Sequence, residues 1–189
     1  MKKNIKILIG THNKGKFKEL SYLLPKRLHK ISPTELGIPS PKETMKTFLG
    51  NSRLKAKFFF RNSNMISLSD DSGLSIECLN GGPGIHSARW AKKYGSFDKA
   101  MKAIIKKVKK KNFKNKIKNT EAKFICCLTI KFPKKKCLSF SGTIKGNISF
   151  EQKGKNGFGY DPIFIPKKYN ITFGQMKKNK KILMEHRFI

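Results

Sequence analysis

Two short apolar runs constrain this chain more than any other feature: IKILI at 5–9 and MISLS at 65–69. Each is too short to form a helix with a face of its own, and each ends abruptly in a polar segment, GTHNKGK after the first and DDSGL after the second. Apolar runs of this length bounded by turn formers read as strands buried on both faces. From Lys16 the period changes: Phe17, Leu20, Leu23 and Leu24 share one helical face until Pro25 stops it. A second helix is expected over 45–61, where Met45, Phe48, Leu49, Ser52 and Ala56 line up. Buried strands alternating with amphipathic helices define a mixed α/β fold.

The same pattern continues along the chain. Residues 31–42, with prolines at 33, 39 and 41, read as a loop. GLSIECL (73–79) alternates as a strand, and NGGPG (80–84) is a turn. Ser96 is placed to cap a helix over 97–110 whose inward residues are Ala100, Met101, Ile104, Ile105 and Val108. The lysine- and asparagine-rich stretch 106–119 reads as a solvated loop. AKFICCLTIKF (122–132) and CLSFSGTIKG (137–146) read as a long hairpin, GKNGFGYD (154–161) as a glycine-rich loop, IFIP as a short strand and 175–187 as a final helix. There is no internal repeat and no linker, so residues 1–189 are expected to form a single domain, at most two lobes around one core.

Charge is the other conspicuous feature. The chain has 43 Lys and Arg against 11 Asp and Glu, a formal net charge of +32 over 189 residues. Such an excess invites comparison with nucleic-acid-binding proteins. Yet only Arg27, Arg53, Arg61, Arg89 and Arg187 are arginines, although the guanidinium is the group shaped for phosphate forks and base edges. The lysines accompany many Asn, Ile and Phe, residues with A/T-rich codons, so compositional drift explains them better than selection for a polyanion. A basic nucleic-acid-binding protein is therefore the alternative, and no specific nucleic acid is expected as a partner. The field still attracts small anions such as nucleoside triphosphates.

Cys78, Cys126, Cys127 and Cys137 form no C-x-x-C pair and have no His at metal spacing. Cys126 and Cys127, inside an apolar run, read as core thiols, which fits a reducing compartment. The apolar part of MKKNIKILIG is about five residues, short of the roughly seven of a signal peptide. No run approaches the roughly 18 apolar residues of a membrane span. No membrane association is expected, and the location expected is cytoplasmic.

Three segments carry chemistry. GTHNKGK (10–16) joins a strand to a helix, and a helix N-terminus with small residues and lysines nearby attracts anions. It is no Walker loop, because Phe17 stands where that loop needs Ser or Thr. Asp70 and Asp71 stand at what reads as a strand end. One or two carboxylates with phosphate oxygens and water suit Mg²⁺, and neighbours on a strand point to opposite faces, so one of the two is expected to face a cation. In GFGYDPIF (157–164), glycines flank Phe158, whose ring could stack on a base, while Tyr160 and Asp161 offer hydrogen-bonding groups.

THNKGKFKEL, ETMKTFLGNSRLKAK, SDDSGLSIECLNGGPGIHSARWA, GFGYDPIF and the terminal His-Arg follow one another in the order found in the inosine triphosphate pyrophosphatase family, which the chain resembles over nearly its whole length. The resemblance implies an ITPase-like two-lobed α/β fold with a long central sheet, an active cleft between the lobes and, usually, a homodimer. It implies Mg²⁺-dependent hydrolysis of ITP, dITP or XTP between the α- and β-phosphates, giving the monophosphate and pyrophosphate. Carried over position by position, Thr11, His12, Asn13, Lys14, Gly15 and Lys16 would hold the triphosphate, with Lys55 and Ser72 on the phosphate side. Glu43 and Asp71 would hold the metal, and Asp71 would be the general base. Phe158, Gly159, Tyr160, Asp161, Lys181, His186 and Arg187 would bind the nucleotide and recognise a 6-keto purine. A donor at the purine 6-oxygen rejects adenine by facing its amino group with another donor. A septum-inhibitor-type nucleotide pyrophosphatase shares the architecture but prefers other bases, and the GFGYDP segment argues against it. The sequence departs from the family at Lys42, Gly50, Gln175 and Glu185.

Overall fold

In a computed structural model, residues 5–115, 119–134 and 136–184 are described. They form six strands and five helices: β1 (Lys6–Ile9), α1 (Lys14–Leu23), β2 (His29–Ile31), α2 (Phe48–Ser63), β3 (Ser67–Ile76), α3 (Ser87–Tyr94), α4 (Phe97–Asn115), β4 (Glu121–Lys131), β5 (Cys137–Ile148), β6 (Phe164–Pro166) and α5 (Lys178–Ile182). One mixed sheet takes the strands in the order β2-β1-β3-β4-β5-β6. β1 runs parallel to β2 and β3, with Leu8 opposite Ile31 and Ser67, while β6 is antiparallel to β5. The mixed α/β architecture expected from the alternation is the one found.

The chain divides into two compact units, Met1–Asp71 with Cys126–Gly142 and Ser72–Ile125 with Thr143–Ile189. In the first, the two-residue period of β1 sorts its side chains between two helices. Ile7 and Ile9 pack with Leu20 of α1 and Leu68 of β3, and with the half-buried Phe17 and Leu24. Leu8 faces the other way, onto Ile31, Ile38 and Phe59 of α2. Helix α1 thus covers one face of the strands and α2 the other. The second unit has its own core, in which Ala100, Met101, Ile104, Ile105 and Val108 of α4 meet Leu74, Ile76, Phe124, Phe164 and Phe173.

Several expectations change in instructive ways. The two strands read at 65–69 and 73–79 are one ten-residue strand, β3, and Asp70 and Asp71 lie inside it rather than at an end. A polar pair need not end a strand when each side chain finds a partner on its own face. The stretch 106–119 is not a loop from its start: α4 runs on to Asn115, because its lysines occupy the solvent face while Val108 keeps the inward one. Lysine is a good helix former, so charge alone does not end a helix. The Lys99 N–H bonds the Ser96 hydroxyl at 3.1 Å, so the start of this helix is where the capping residue put it. Helix α2 begins at Phe48 rather than at 45, because Thr47 caps it through a 3.0 Å bond to the Gly50 N–H. β2 lies at the edge of the supposed loop 31–42, α3 was not foreseen, and within 175–184 only Lys178–Ile182 is helical.

Ile104 is completely buried. Ile104→Ala should lower the free energy of unfolding by about 2–5 kcal/mol, as large-to-small changes in a core do. Urea unfolding checks this, and a loss near zero would mean that α4 does not close the core of its unit.

Candidate active site

Gly10 follows β1, and an added Cβ there would run into the Ser69 hydroxyl of β3 and the Phe59 ring of α2, so the chain leaves β1 closely packed against both. The Asn13 side chain then caps α1 by accepting the Lys16 N–H at 3.0 Å, and the Thr11 hydroxyl accepts the Asn13 N–H at 3.2 Å. His12 reaches across to 38–40: its Nε2–H donates to the Ile38 carbonyl at 3.0 Å and the Ser40 hydroxyl bonds Nδ1 at 2.6 Å. The side chains of Thr11, His12 and Asn13 therefore shape the turn. What the turn offers an anion is the start of a helix, whose first N–H groups have no acceptor within it, with the exposed Lys14 and half-buried Gly15 on it.

The period of β3 decides what the two aspartates do. Leu68 and Asp70 share the α1 face, and Asp70, almost fully buried, forms an ion pair with Lys16 of α1, Nζ to Oδ2 2.9 Å. Ser69 and Asp71 share the α2 face. Lys55 of α2 places its Nζ 3.2 Å from Asp71 Oδ1 and 2.7 Å from Glu43 Oε1, so one ammonium joins the two carboxylates. The second oxygen of Asp71 accepts a hydrogen bond from the Asn51 amide at 3.2 Å. Ser72, the next residue on β3, is half-buried.

Burial and charge oppose each other here. Burial works to lower the Lys55 pKa, but Asp71, Asp70 and Glu43 together outweigh it and hold the ammonium above its ordinary range. At Asp71 burial pushes the carboxyl up and Glu43 adds to that. Lys55, Lys16 and the Asn51 hydrogen bond pull it down without cancelling the rise.

A second cluster lies in GFGYDP. Asp161 Oδ2 accepts the Phe158 N–H at 2.8 Å and pairs with the buried Lys181 Nζ at 2.8 Å. That ammonium lies 5.4 Å from the centre of the Phe158 ring and 5.6 Å from that of Phe173, within cation–π range. Gly157 and Gly159 have φ of +75° and +66°, and a Cβ at Gly157 would strike the Asp161 carboxylate. Tyr160 differs from expectation: its ring is buried against Phe97 and its hydroxyl donates to the Ser87 carbonyl at 2.8 Å, so its polar edge is already used inside the fold. His186 and Arg187 lie outside the described residues.

Glu43, Lys55 and Asp71 thus form one group, Lys16 and Asp70 another, and Phe158, Asp161 and Lys181 a third. Asn51 had no place among the expected site residues. Its sequence signals were its place in the family-like segment ETMKTFLGNSRLKAK and its position four residues before Lys55, on the same helical face.

Paired carboxylates beside a cationic strand–helix turn mark a class of protein that handles phosphate esters. The Ham1 family model matches residues 7–189, and the chain belongs to that family. A dITP/XTP pyrophosphatase of Caulobacter vibrioides is 40% identical over 182 residues, covering 96% of this chain and 92% of its own. The HAM1 protein from Coxiella burnetii superposes with a TM-score of 0.85 at 30% identity, over 97% of this chain and 92% of its own. The Staphylococcus aureus Ham1 protein does so with a TM-score of 0.82 at 33% identity, over 96% and 92%.

Since burial is the largest influence on Asp71, its carboxyl in the cation-free protein should titrate above 3.8. Lys55→Met, by removing a charge that lowers it, should move the midpoint higher still. Carboxyl ¹³C shifts measure both; a midpoint at or below 3.8 in the wild type would contradict the balance described.

Proposed function

We propose that this chain is a dITP/XTP pyrophosphatase that hydrolyses non-standard purine nucleoside triphosphates (ITP, dITP, XTP) to the monophosphate and pyrophosphate. The observation that carries the proposal is the convergence of Glu43 and Asp71 on the buried Lys55 ammonium. Oxygens from both carboxylates already meet around one positive charge, and hard oxygen donors of this kind suit Mg²⁺. No group of three or more His, Cys, Asp or Glu able to hold a metal occurs among the described residues. Two carboxylates would therefore be the protein's share, with phosphate oxygens and water completing the set, as Mg²⁺ prefers. A divalent cation held there would offset the negative charge of the triphosphate.

The remaining work falls to side chains. The start of α1, with Lys14 and Lys16, holds the phosphates while Asp70 steadies Lys16. Lys55 and Ser72 act on the phosphate side. Asp71 takes the proton of the water that attacks the α-phosphate. The new P–O bond forms as the bond to the β-phosphate breaks, and pyrophosphate leaves. Phe158 supplies a ring face for the purine. Gly159 keeps its backbone open, Tyr160 braces the segment from within, and Asp161 and Lys181, with His186 and Arg187, supply the polar groups that recognise the 6-oxygen. Mg²⁺ as the cation, a homodimer as the working form and a cytoplasmic location belong to the same proposal. The last is supported by four free cysteines and by the absence, among the described residues, of a helix long and apolar enough to cross a membrane.

Asp71→Asn, in which Glu43 still pairs with Lys55, should stay folded though less stable and lower pyrophosphate release from ITP by at least about a hundredfold, the scale expected when a metal-binding base is lost. Near-normal release by this variant would refute the assignment of Asp71.

A further inference from the structure

We infer that Asn51 is a positioning residue, tying the segment that carries Glu43 to the strand that carries Asp71 and so fixing the geometry of the two-carboxylate site. The inference rests on Glu43 and Asp71 being the cation ligands. Asn51 sits in the first turn of α2 and is fully buried, at 0% exposure. Both ends of its amide are used, in different directions. Oδ1 accepts the Met45 N–H at 3.0 Å, and Nδ2 donates to Asp71 Oδ2 at 3.2 Å. A backbone N–H requires an acceptor and a carboxylate requires a donor, so only one orientation of the amide serves both. Met45 is two residues beyond Glu43. One short side chain therefore joins the two carboxylate-bearing segments.

Lys55 also joins them, but through Glu43 Oε1 and Asp71 Oδ1, and its charge competes with any cation those oxygens hold. Asn51 is neutral and uses different atoms, the Met45 N–H and Asp71 Oδ2, so its two bonds do not depend on that competition. Its own position is well anchored. Its N–H bonds the Thr47 carbonyl at 3.0 Å, and the neighbouring Ser52 hydroxyl, equally buried, bonds Thr129 of β4 at 2.8 Å. Asp at this position would keep the acceptor and lose the donor; Ala would lose both.

Mn²⁺ binding without nucleotide, and hydrogen exchange at the Met45 amide, test this on the full chain. Asn51→Ala should bind Mn²⁺ roughly 10–100-fold more weakly than the wild type, the usual consequence of losing a partner behind a metal ligand, and its Met45 amide should exchange faster. With ITP, the cation concentration for half-maximal turnover should rise by a larger factor than kcat at saturating cation falls. Asn51→Asp should keep the Met45 amide protected as in the wild type, a readout that stands even if the alanine variant fails to fold. Wild-type Mn²⁺ affinity in Asn51→Ala, or a Met45 amide that exchanges freely in Asn51→Asp, overturns the inference. Failure of the wild-type chain to bind Mn²⁺ instead overturns the assignment of Glu43 and Asp71 on which it rests.

Discussion

The buried ammonium of Lys55 between Glu43 and Asp71 is the interaction on which the rest of the first unit depends. A charge removed from water must be matched nearby, and breaking such a pair from one side leaves the other charge stranded at a cost of about 3–5 kcal/mol. This requirement fixes the depth of α2 against β3, because the lysine must reach the strand. It also fixes the segment before α2, because Glu43 must meet the same nitrogen. On the opposite face Lys16 and Asp70 repeat the device, so each helix flanking β3 is bonded to it by one lysine and one adjacent aspartate. Two neighbouring acids in a strand, separated by the pleat, thereby serve two helices.

This accounts for what was and was not legible in the amino-acid order. β1 and α1 were legible because apolar periodicity and a proline stop act locally. The aspartates were recognised as special, but the continuity of β3 through them was hidden, since it depends on lysines that arrive from elsewhere in the chain. The extension of α4 to Asn115 was missed because a solvated lysine run has the same composition in a helix as in a loop. Asn13 and Tyr160 show a different limit. Family resemblance marks such positions as important without saying which atoms they use, and here the Asn13 oxygen caps α1 while the Tyr160 hydroxyl braces the Ser87 carbonyl. Asn51 escaped notice because a neutral amide has no chemistry of its own to advertise; its meaning comes entirely from the two atoms it touches.

The excess of lysine also takes on a definite meaning. Of the 11 acidic residues, Glu43, Asp70, Asp71 and Asp161 are each within 3.2 Å of a lysine nitrogen at these sites. Their partners Lys16, Lys55 and Lys181 are the lysines whose charge is enclosed and paired at these sites. The many exposed ones contribute a positive field that favours the approach of any triphosphate. That field does not choose among bases, and in the proposed function that choice falls to fixed polar groups such as those of Asp161 and Lys181.

Selectivity for non-standard purines is tested by pyrophosphate release from ITP, XTP, dITP, GTP and ATP, side by side with the same protein. The expected result is turnover of the first three with GTP and ATP far behind. Equal turnover of all five, or phosphate released in place of pyrophosphate, would contradict it.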